Sequence, residues 1–332
     1  MKHRERIERI IAGEKVDRPA VSMWRHFYHL ESTAQGLCDA MVGFQREYDW
    51  DIMKINPRAS YHMEDWGNEL DWSNDELKKH SKTKFAVETI DDWDKIIELP
   101  MDSPVLGEHL EAVSLIRKEI GNDLPIVMTM FTPLSIAGDL VKDDNTLLEH
   151  LRENPEKVKS ALGRIAKTFA NYAKELRNAG ADGLFYATTQ WASRTLLTFD
   201  EYLEFGKPFD LIPLEATGDG ALNILHVCAS ENYLSELANY PAQIVNWDDS
   251  DPTNLNVKTG TDAVSPKTVM AGIDHRGWLQ SGTPKDIELK IRETAAQAPE
   301  TGFIFGPGCS IAPETPSENL RALRDTIESL KH

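Results

Sequence analysis

Short apolar runs alternate with longer stretches of helical periodicity along most of this chain. Eight such runs stand out, at residues 20–24, 52–55, 126–130, 183–187, 224–228, 244–247, 269–273 and 303–305. Most of them are nearly continuous in apolar residues, which is typical of strands that are covered on both faces. Helical spacing of apolar residues fills several of the connections, at residues 147–176, 234–238, 284–296 and 316–330.

The alternation of eight strands with helices predicts an α/β protein built as a (β/α)8 barrel. An amphipathic helix over residues 2–12, followed by Gly13, precedes the first strand. The connection after strand two, residues 56–125, is long enough for an insertion that carries the Trp-rich stretch 63–93. Because barrels of this length form one unit, we predict a single domain over residues 1–332.

The composition favours a globular protein and disfavours nucleic-acid-binding and membrane proteins. Hydrophobic residues make up 41% and charged residues 27% of the chain, which is ordinary globular usage. The formal charge of −18 disfavours binding to nucleic acid or to an anionic membrane, because both need basic surfaces. No apolar run approaches the ~18 residues of a membrane helix, and the charged N-terminus lacks a secretory apolar stretch. We therefore predict a cytoplasmic protein whose three cysteines stay reduced.

Three residues form a candidate metal site. His226 and Cys228 are two positions apart on a predicted strand, so their side chains point to the same side. Cys309 follows the last strand, and side chains at the carboxyl ends of barrel strands converge. Three ligands from distant segments are typical of a catalytic zinc site with an exchangeable position. The same spacing also fits two buried thiols and a histidine that simply pack in the core.

The segment that carries Cys309 contains two glycines, Gly306 and Gly308, which we expect to adopt backbone angles that turn the thiol inward. Asp248 ends the sixth predicted strand and is the best candidate for a fourth metal ligand that an incoming thiol would displace. The alternative is that Asp248 only accepts hydrogen bonds from backbone amides of its own loop.

Several segments resemble the uroporphyrinogen decarboxylase superfamily, and they are spread over nearly the whole chain. They are Arg4-Glu5-Arg6-Ile7, Val16-Asp17-Arg18-Pro19, Phe131-Thr132-Pro133-Leu134, Gly180-Ala181-Asp182-Gly183 and the ending that starts at Gly308-Cys309-Ser310. The resemblance implies a (β/α)8 barrel, in agreement with the strand count.

The ligand positions resemble one branch of that superfamily, the methylcobamide:thiol methyltransferases. That branch has a His-x-Cys and a late Gly-Cys, which are matched here by His226, Cys228 and Cys309. Decarboxylases share an Arg-x-x-x-Arg motif after strand one, but His29 stands in place of the second arginine. Residues 56–61 also lack the aspartate that faces the pyrroles in decarboxylases. The resemblance therefore implies zinc bound by the three residues and activating a thiol.

The resemblance also implies the other reactants. Methylcobalamin would donate or accept the methyl group, carried by a separate corrinoid protein or free in solution. The acceptor would be a small thiol or a tetrahydrofolate-type pterin. Two alternatives stay open: a metal-free decarboxylase of a tetrapyrrole, and a non-catalytic protein that binds a corrinoid or tetrapyrrole.

Further side chains at the strand ends are candidates for binding substrate or cofactor. Arg25 and His26 are expected to hold the anionic end of a thiol or cofactor, although Arg25 could instead form an internal salt bridge. Tyr186 and Gln190 after strand four are candidates for contact with a planar ring such as a corrin, and packing is the alternative. Asp274 at the end of strand seven is expected to face the same pocket.

Overall fold

The computed structural model describes residues 1–330, and it confirms the predicted barrel. Ten strands are numbered in chain order: β1 Ala20–Val21, β2 Met53–Ile55, β3 Glu69–Asp71, β4 Ser81–Lys84, β5 Ile126–Phe131, β6 Gly183–Ala187, β7 Ile224–Val227, β8 Ile244–Trp247, β9 Thr268–Ile273 and β10 Phe303–Pro307. Eight of these form one parallel sheet in the order β1-β10-β9-β8-β7-β6-β5-β2, so strands adjacent along the chain are neighbours in space. Strands β3 and β4 form a separate antiparallel hairpin.

The sheet curls so that its two edge strands meet. No ladder joins β1 to β2 within residues 1–330, but the amide of Asp51 donates to the carbonyl of Val21 at 2.8 Å. Beside it, the Ser22 hydroxyl donates to the carbonyl of Ile52 at 2.9 Å. These bonds close a TIM-barrel-like fold at the seam between β1 and β2.

Helices cover the outside of the barrel and fill most connections. They are α1 His3–Ile11, α2 Ala34–Tyr48, α3 Tyr61–Glu64, α4 Pro104–Ile120, α5 Pro133–Leu140, α6 Asp144–Glu153, α7 Pro155–Asn178, α8 Phe199–Phe205, α9 Lys207–Glu215, α10 Val257–Val264, α11 Trp278–Ser281, α12 Pro284–Gln297 and α13 Ser317–Ser329. Short 3-10 turns lie at Ile90–Lys95 and Thr189–Trp191. No helix in residues 1–330 is long and apolar enough to cross a membrane.

Two of the helix predictions need correction. The predicted helix at 147–176 is two helices, because Pro155 starts α7 and its ring is incompatible with continuing α6 through that position. Residues 234–238 form turns, so β7 and β8 are joined without a helix. The long second connection does contain the predicted insertion, built from α3, the β3–β4 hairpin and a 3-10 turn before α4.

Alternation along the strands separates two apolar clusters. The inner cluster includes Phe185, Ile224 and Ile304, and it packs against α1. Their chain neighbours, such as Tyr186 and Leu225, belong to the outer cluster between strands and helices. This period of two places every second side chain of a strand inside the barrel.

Candidate metal centre

His226, Cys228 and Cys309 come together at the carboxyl ends of the barrel strands. His226 lies on β7, Cys228 follows the end of β7, and Cys309 lies two residues beyond β10. One ring nitrogen of His226 and the two Sγ atoms all lie within 4.8 Å of one another. His226 is buried, whereas both cysteines are partly exposed. The three residues thus form one cluster near the barrel mouth.

Local geometry explains why the two segments converge. Ile224 faces the barrel interior, so His226 and Cys228 follow on the same face. Gly306 and Gly308 do not have left-handed backbone angles, so that expectation was wrong. They are needed for close approach instead: a Cβ on Gly308 would lie 2.4 Å from Oδ1 of Asp248. The lack of a side chain there lets the Cys309 segment pack against β8.

The side chain of Asn246 determines which ring nitrogen of His226 carries the proton. Nδ2 of Asn246 donates to the carbonyls of Met270 at 2.7 Å and Pro307 at 3.1 Å. Its Oδ1 therefore faces His226 and accepts a hydrogen bond from Nδ1 at 2.6 Å. With the proton held on Nδ1, Nε2 carries a free lone pair, which is the form that binds a metal ion.

The pKa values of the two thiols are shifted in opposite directions. A hydrogen bond between them raises the pKa of Cys228 well above its ordinary value, and burial adds to this effect. The same bond lowers the pKa of Cys309 well below its ordinary value, with a further contribution from His226. Cys309 is thus the thiol that ionises first, and Cys228 needs a positive charge nearby to follow.

These three donors fit a zinc ion. Zinc bonds of ~2.3 Å to sulfur and ~2.0 Å to nitrogen in a tetrahedral site place these ligand atoms roughly 3.5–3.8 Å apart. The donors lie within 4.8 Å of one another, so small inward shifts would complete that geometry. Two thiolates and a neutral imidazole also suit zinc chemically. Asp248 is outside this group of three, and its Oδ1 accepts a hydrogen bond from the Ser250 amide at 3.2 Å.

Arg25 and His26 lie near the mouth but already have partners. The Arg25 guanidinium lies 4.9 Å above the Phe27 ring and is 3.4 Å from Glu76. Its backbone pairs with Ile311, close to Cys309 in sequence. Nδ1 of His26 is 3.1 Å from the buried carboxylate of Glu31. Both residues can reach a ligand only by exchanging these contacts.

The remaining candidates also have hydrogen-bond partners within the protein. The Tyr186 side chain points toward the helices, where its hydroxyl donates to the carbonyl of Asp210 at 2.8 Å. Gln190 is exposed and donates to Asp144 at 3.0 Å. Asp274 caps its own turn by accepting from the amide of Gly277 at 2.7 Å. Strand alternation therefore turns Tyr186 away from the barrel mouth, so its predicted contact with a planar ring is wrong. The predicted contacts of Gln190 and Asp274 stay predictions.

Sequence reasoning missed several polar residues of the interior. Lys54 and Asn56 on and after β2, and Asn246 on β8, are 4% exposed or less. His275 is also buried, and neither of its ring nitrogens has a hydrogen-bond partner within residues 1–330. The available signal was a polar residue inside an apolar strand run, as with Lys54 between Met53 and Ile55.

Several known proteins are similar to this chain. The chain is 26% identical over 262 residues to methylcobamide:CoM methyltransferase MtbA of Methanosarcina mazei, covering 78% of this chain and 74% of that protein. It is 28% identical over 219 residues to methylcobamide:CoM methyltransferase MtaA of Methanosarcina barkeri, covering 64% and 61%. A solved methyltransferase structure from Methanosarcina mazei superposes with a TM-score of 0.85 at 20% identity, covering 99% of both chains.

One match covers nearly the whole chain and shows to which family the protein belongs. Residues 2–330 match the uroporphyrinogen decarboxylase (URO-D) family, which is nearly the full chain. In barrels of this kind active sites form at the carboxyl ends of the strands, which is where His226, Cys228 and Cys309 lie. This chain therefore belongs to the uroporphyrinogen decarboxylase (URO-D) family of enzymes.

Proposed function

We propose that this chain is a zinc-dependent methyltransferase that moves a methyl group between a corrinoid and a thiol or tetrahydrofolate-type acceptor. The observation that carries the proposal is the cluster of His226, Cys228 and Cys309 at the barrel mouth. The names of the relatives, methylcobamide:CoM methyltransferases, support a corrinoid and a thiol as the two reactants. They favour the thiol over the pterin.

The protein's own groups prepare the site for a divalent cation. Asn246 holds His226 with Nε2 free to bind, and the two neighbouring thiols ionise together once a cation offsets their charge. Bound zinc supplies Lewis acidity, which lowers the pKa of a coordinated thiol and presents sulfur as a nucleophile. Both thiols must be reduced, which supports the predicted cytoplasmic location.

Asp248 remains the proposed fourth ligand in the absence of substrate. Its carboxylate packs against Gly308, next to Cys309. The hydrogen bond from the Ser250 amide holds Oδ1. One carboxylate oxygen would complete the ligand set, and an incoming thiol would displace it.

The corrinoid would approach the barrel mouth from outside, on a partner protein or free. Arg25 and His26 border this mouth after β1, and we propose that they contact the anionic part of a bound acceptor or cofactor. Their present partners, Glu76 and Glu31, are carboxylates, so the positions are suited to negative groups.

The first experiment measures zinc and methyl transfer in cysteine variants. We expect about one zinc per wild-type chain by elemental mass spectrometry, and we expect Cys228→Ser and Cys309→Ser to lose it. Both variants would also lose methyl transfer from methylcobalamin to a thiol. Cys38→Ala is the matched control, because Cys38 is buried on α2 outside the cluster.

Two results would contradict the proposal. One is a cysteine variant that retains both zinc and methyl transfer. The other is stepwise loss of carboxylate from uroporphyrinogen by the wild-type chain, followed by mass, which would assign decarboxylase activity instead.

A further inference from the structure

Lys54 is a buried lysine inside the barrel. Its side chain extends from β2 and is 4% exposed. The ammonium donates a hydrogen bond to Oδ1 of Asn56 and lies 4.7 Å from the Phe185 ring centroid and 5.5 Å from that of Trp24. Within residues 1–330, no salt bridge joins it to a carboxylate. An ammonium is rarely kept in such surroundings unless something negative comes near it.

The position of Lys54 relates it to the metal-ligand cluster. Ile52 faces the barrel interior, so Lys54 follows on the same face and points toward the centre. The Phe185 ring that lies beside the ammonium is 5.0 Å from the ring of His226. One aromatic side chain therefore contacts both the cation and a cluster residue.

The negative groups near Lys54 indicate which part of the molecule its ammonium interacts with. Burial lowers its pKa to about 7, and the charges that oppose this effect are those of Cys309, Glu31 and Cys228. Glu31 is already bound by His26 and by the amide of Phe27. The two cysteines are thus the other negative groups that act on Lys54, and they also interact with Arg276, at Cys228, and with His226 and His275, at Cys309.

The net charge of the metal ion and its ligands shows when the Lys54 ammonium affects binding. A divalent metal ion, two thiolates and a neutral imidazole sum to zero. An anionic fourth ligand, either the Asp248 carboxylate or the sulfur of an acceptor, brings the site to −1 next to the buried barrel interior. A neutral ligand leaves the site uncharged. A nearby cation therefore favours an anionic fourth ligand over a neutral one.

We propose that Lys54 is a positioning residue whose ammonium offsets the negative charge of an anionic sulfur acceptor held at the cluster, so that the site selects thiolates over neutral ligands. This proposal rests on the proposed function and deepens it by naming the charge of the acceptor's reacting atom. Asn56 keeps the ammonium in place.

The test compares Lys54→Met with Lys267→Met. Lys267 is also a partly buried lysine, but its ammonium donates to the carbonyls of Tyr240 at 2.8 Å and Ala242 at 2.5 Å, at the amino end of β9. Each protein is loaded with cobalt(II) in place of zinc. The affinities for 2-mercaptoethanol and for imidazole are then measured from the absorption bands of the metal.

We expect the ratio of the affinity for 2-mercaptoethanol to the affinity for imidazole to fall at least about tenfold in Lys54→Met, which corresponds to about 1.4 kcal/mol. The variant should still bind one cobalt ion per chain. Urea unfolding should show that metal-free Lys54→Met is at least as stable as the wild type, because a buried charge has been removed. Lys267→Met should be less stable and bind the thiol normally.

Several outcomes would overturn the proposal. An unchanged ratio of thiol affinity to imidazole affinity removes it, and this includes an equal loss of both affinities, which would indicate general damage. Weaker binding of 3-mercaptopropionate with unchanged binding of 2-mercaptoethanol would show that Lys54 binds an acidic tail instead. A wild-type chain that binds no cobalt removes the proposed function, and this proposal with it.

Discussion

The side chain of Asn246 joins four strands of the barrel in a single network. It extends from β8, donates to carbonyls on β9 and β10, and accepts from His226 on β7. These contacts fix both the distance between the ligand-bearing strands and the tautomer of the histidine. Such partners of metal-binding histidines commonly tune affinity as strongly as the position of the ligands.

We expect Asn246→Ala to lower zinc affinity roughly 10–100-fold, because Nδ1 of His226 loses its acceptor. The measurement is competition with a chelator of known affinity. Asn319→Ala is the matched control: its Nδ2 also donates to two buried carbonyls, those of Leu279 and Gly282, away from the site. Both variants should lose about 1–3 kcal/mol of unfolding free energy. Equal zinc affinity in the two variants would contradict the role of Asn246.

At the scale of whole elements, a buried ion network closes the barrel where the ladder is missing. Asp51, with no exposed surface, accepts from Arg6 at 2.7 Å, from Arg18 at 2.7 Å and from the amide of Val21 at 2.9 Å. Burial alone would raise the pKa of Asp51, but hydrogen bonds from His3 and Arg18 hold it below its ordinary value. This one carboxylate ties α1, β1 and β2 together.

Asp51→Asn should reduce the free energy of unfolding by about 3 kcal/mol, because two buried arginines lose a charge partner. Urea denaturation measures the loss. Glu69→Gln on the β3–β4 hairpin serves as a control, since it removes the exposed ion pair with Lys84 and should cost less than about 1 kcal/mol. A similar small effect of both substitutions would show that the seam does not depend on Asp51.

The whole molecule has a net charge of −18 at pH 7, but one of its carboxyl groups, that of Asp210, ionises only at a raised pH. Asp210 is fully buried, and its Oδ2 accepts from the hydroxyls of Tyr202 at 2.6 Å and Tyr240 at 3.0 Å. Burial raises its pKa to about 7, although the two hydroxyls oppose this. The unfolded chain ionises this group near pH 4, so stability falls as pH rises from about 4 to about 7.

We therefore expect the stability of Asp210→Asn relative to wild type to rise by about 2 kcal/mol between pH 5 and pH 7. Urea unfolding of both proteins at each pH measures the difference. Burial also lowers the pKa of His109 to about 3, which acts in the opposite direction, but this contribution cancels in the comparison. Asp219→Asn, in an exposed loop, should show no such trend. A pH-independent difference for Asp210→Asn would refute the assignment of a buried neutral acid.

The sequence by itself determined the barrel and the zinc ligands as candidates. Apolar runs of strand length repeat eight times, and such runs require cover on both faces, which few folds provide. His226 and Cys228 are linked by spacing alone, because the period of a strand puts them on one side. Cys309 joined them through its place after the last strand, since all barrel strands end at the same face.

Only the tertiary structure decided which polar residues serve that site. Tyr186 and Phe185 are adjacent in sequence, but the direction of the strand pleat sends one to the helices and the other to the interior. The roles of Asn246 and Lys54 depend on contacts between strands that are far apart in sequence. Local patterns cannot encode such contacts, because register, curl and close approach at Gly308 are set by packing of the whole barrel.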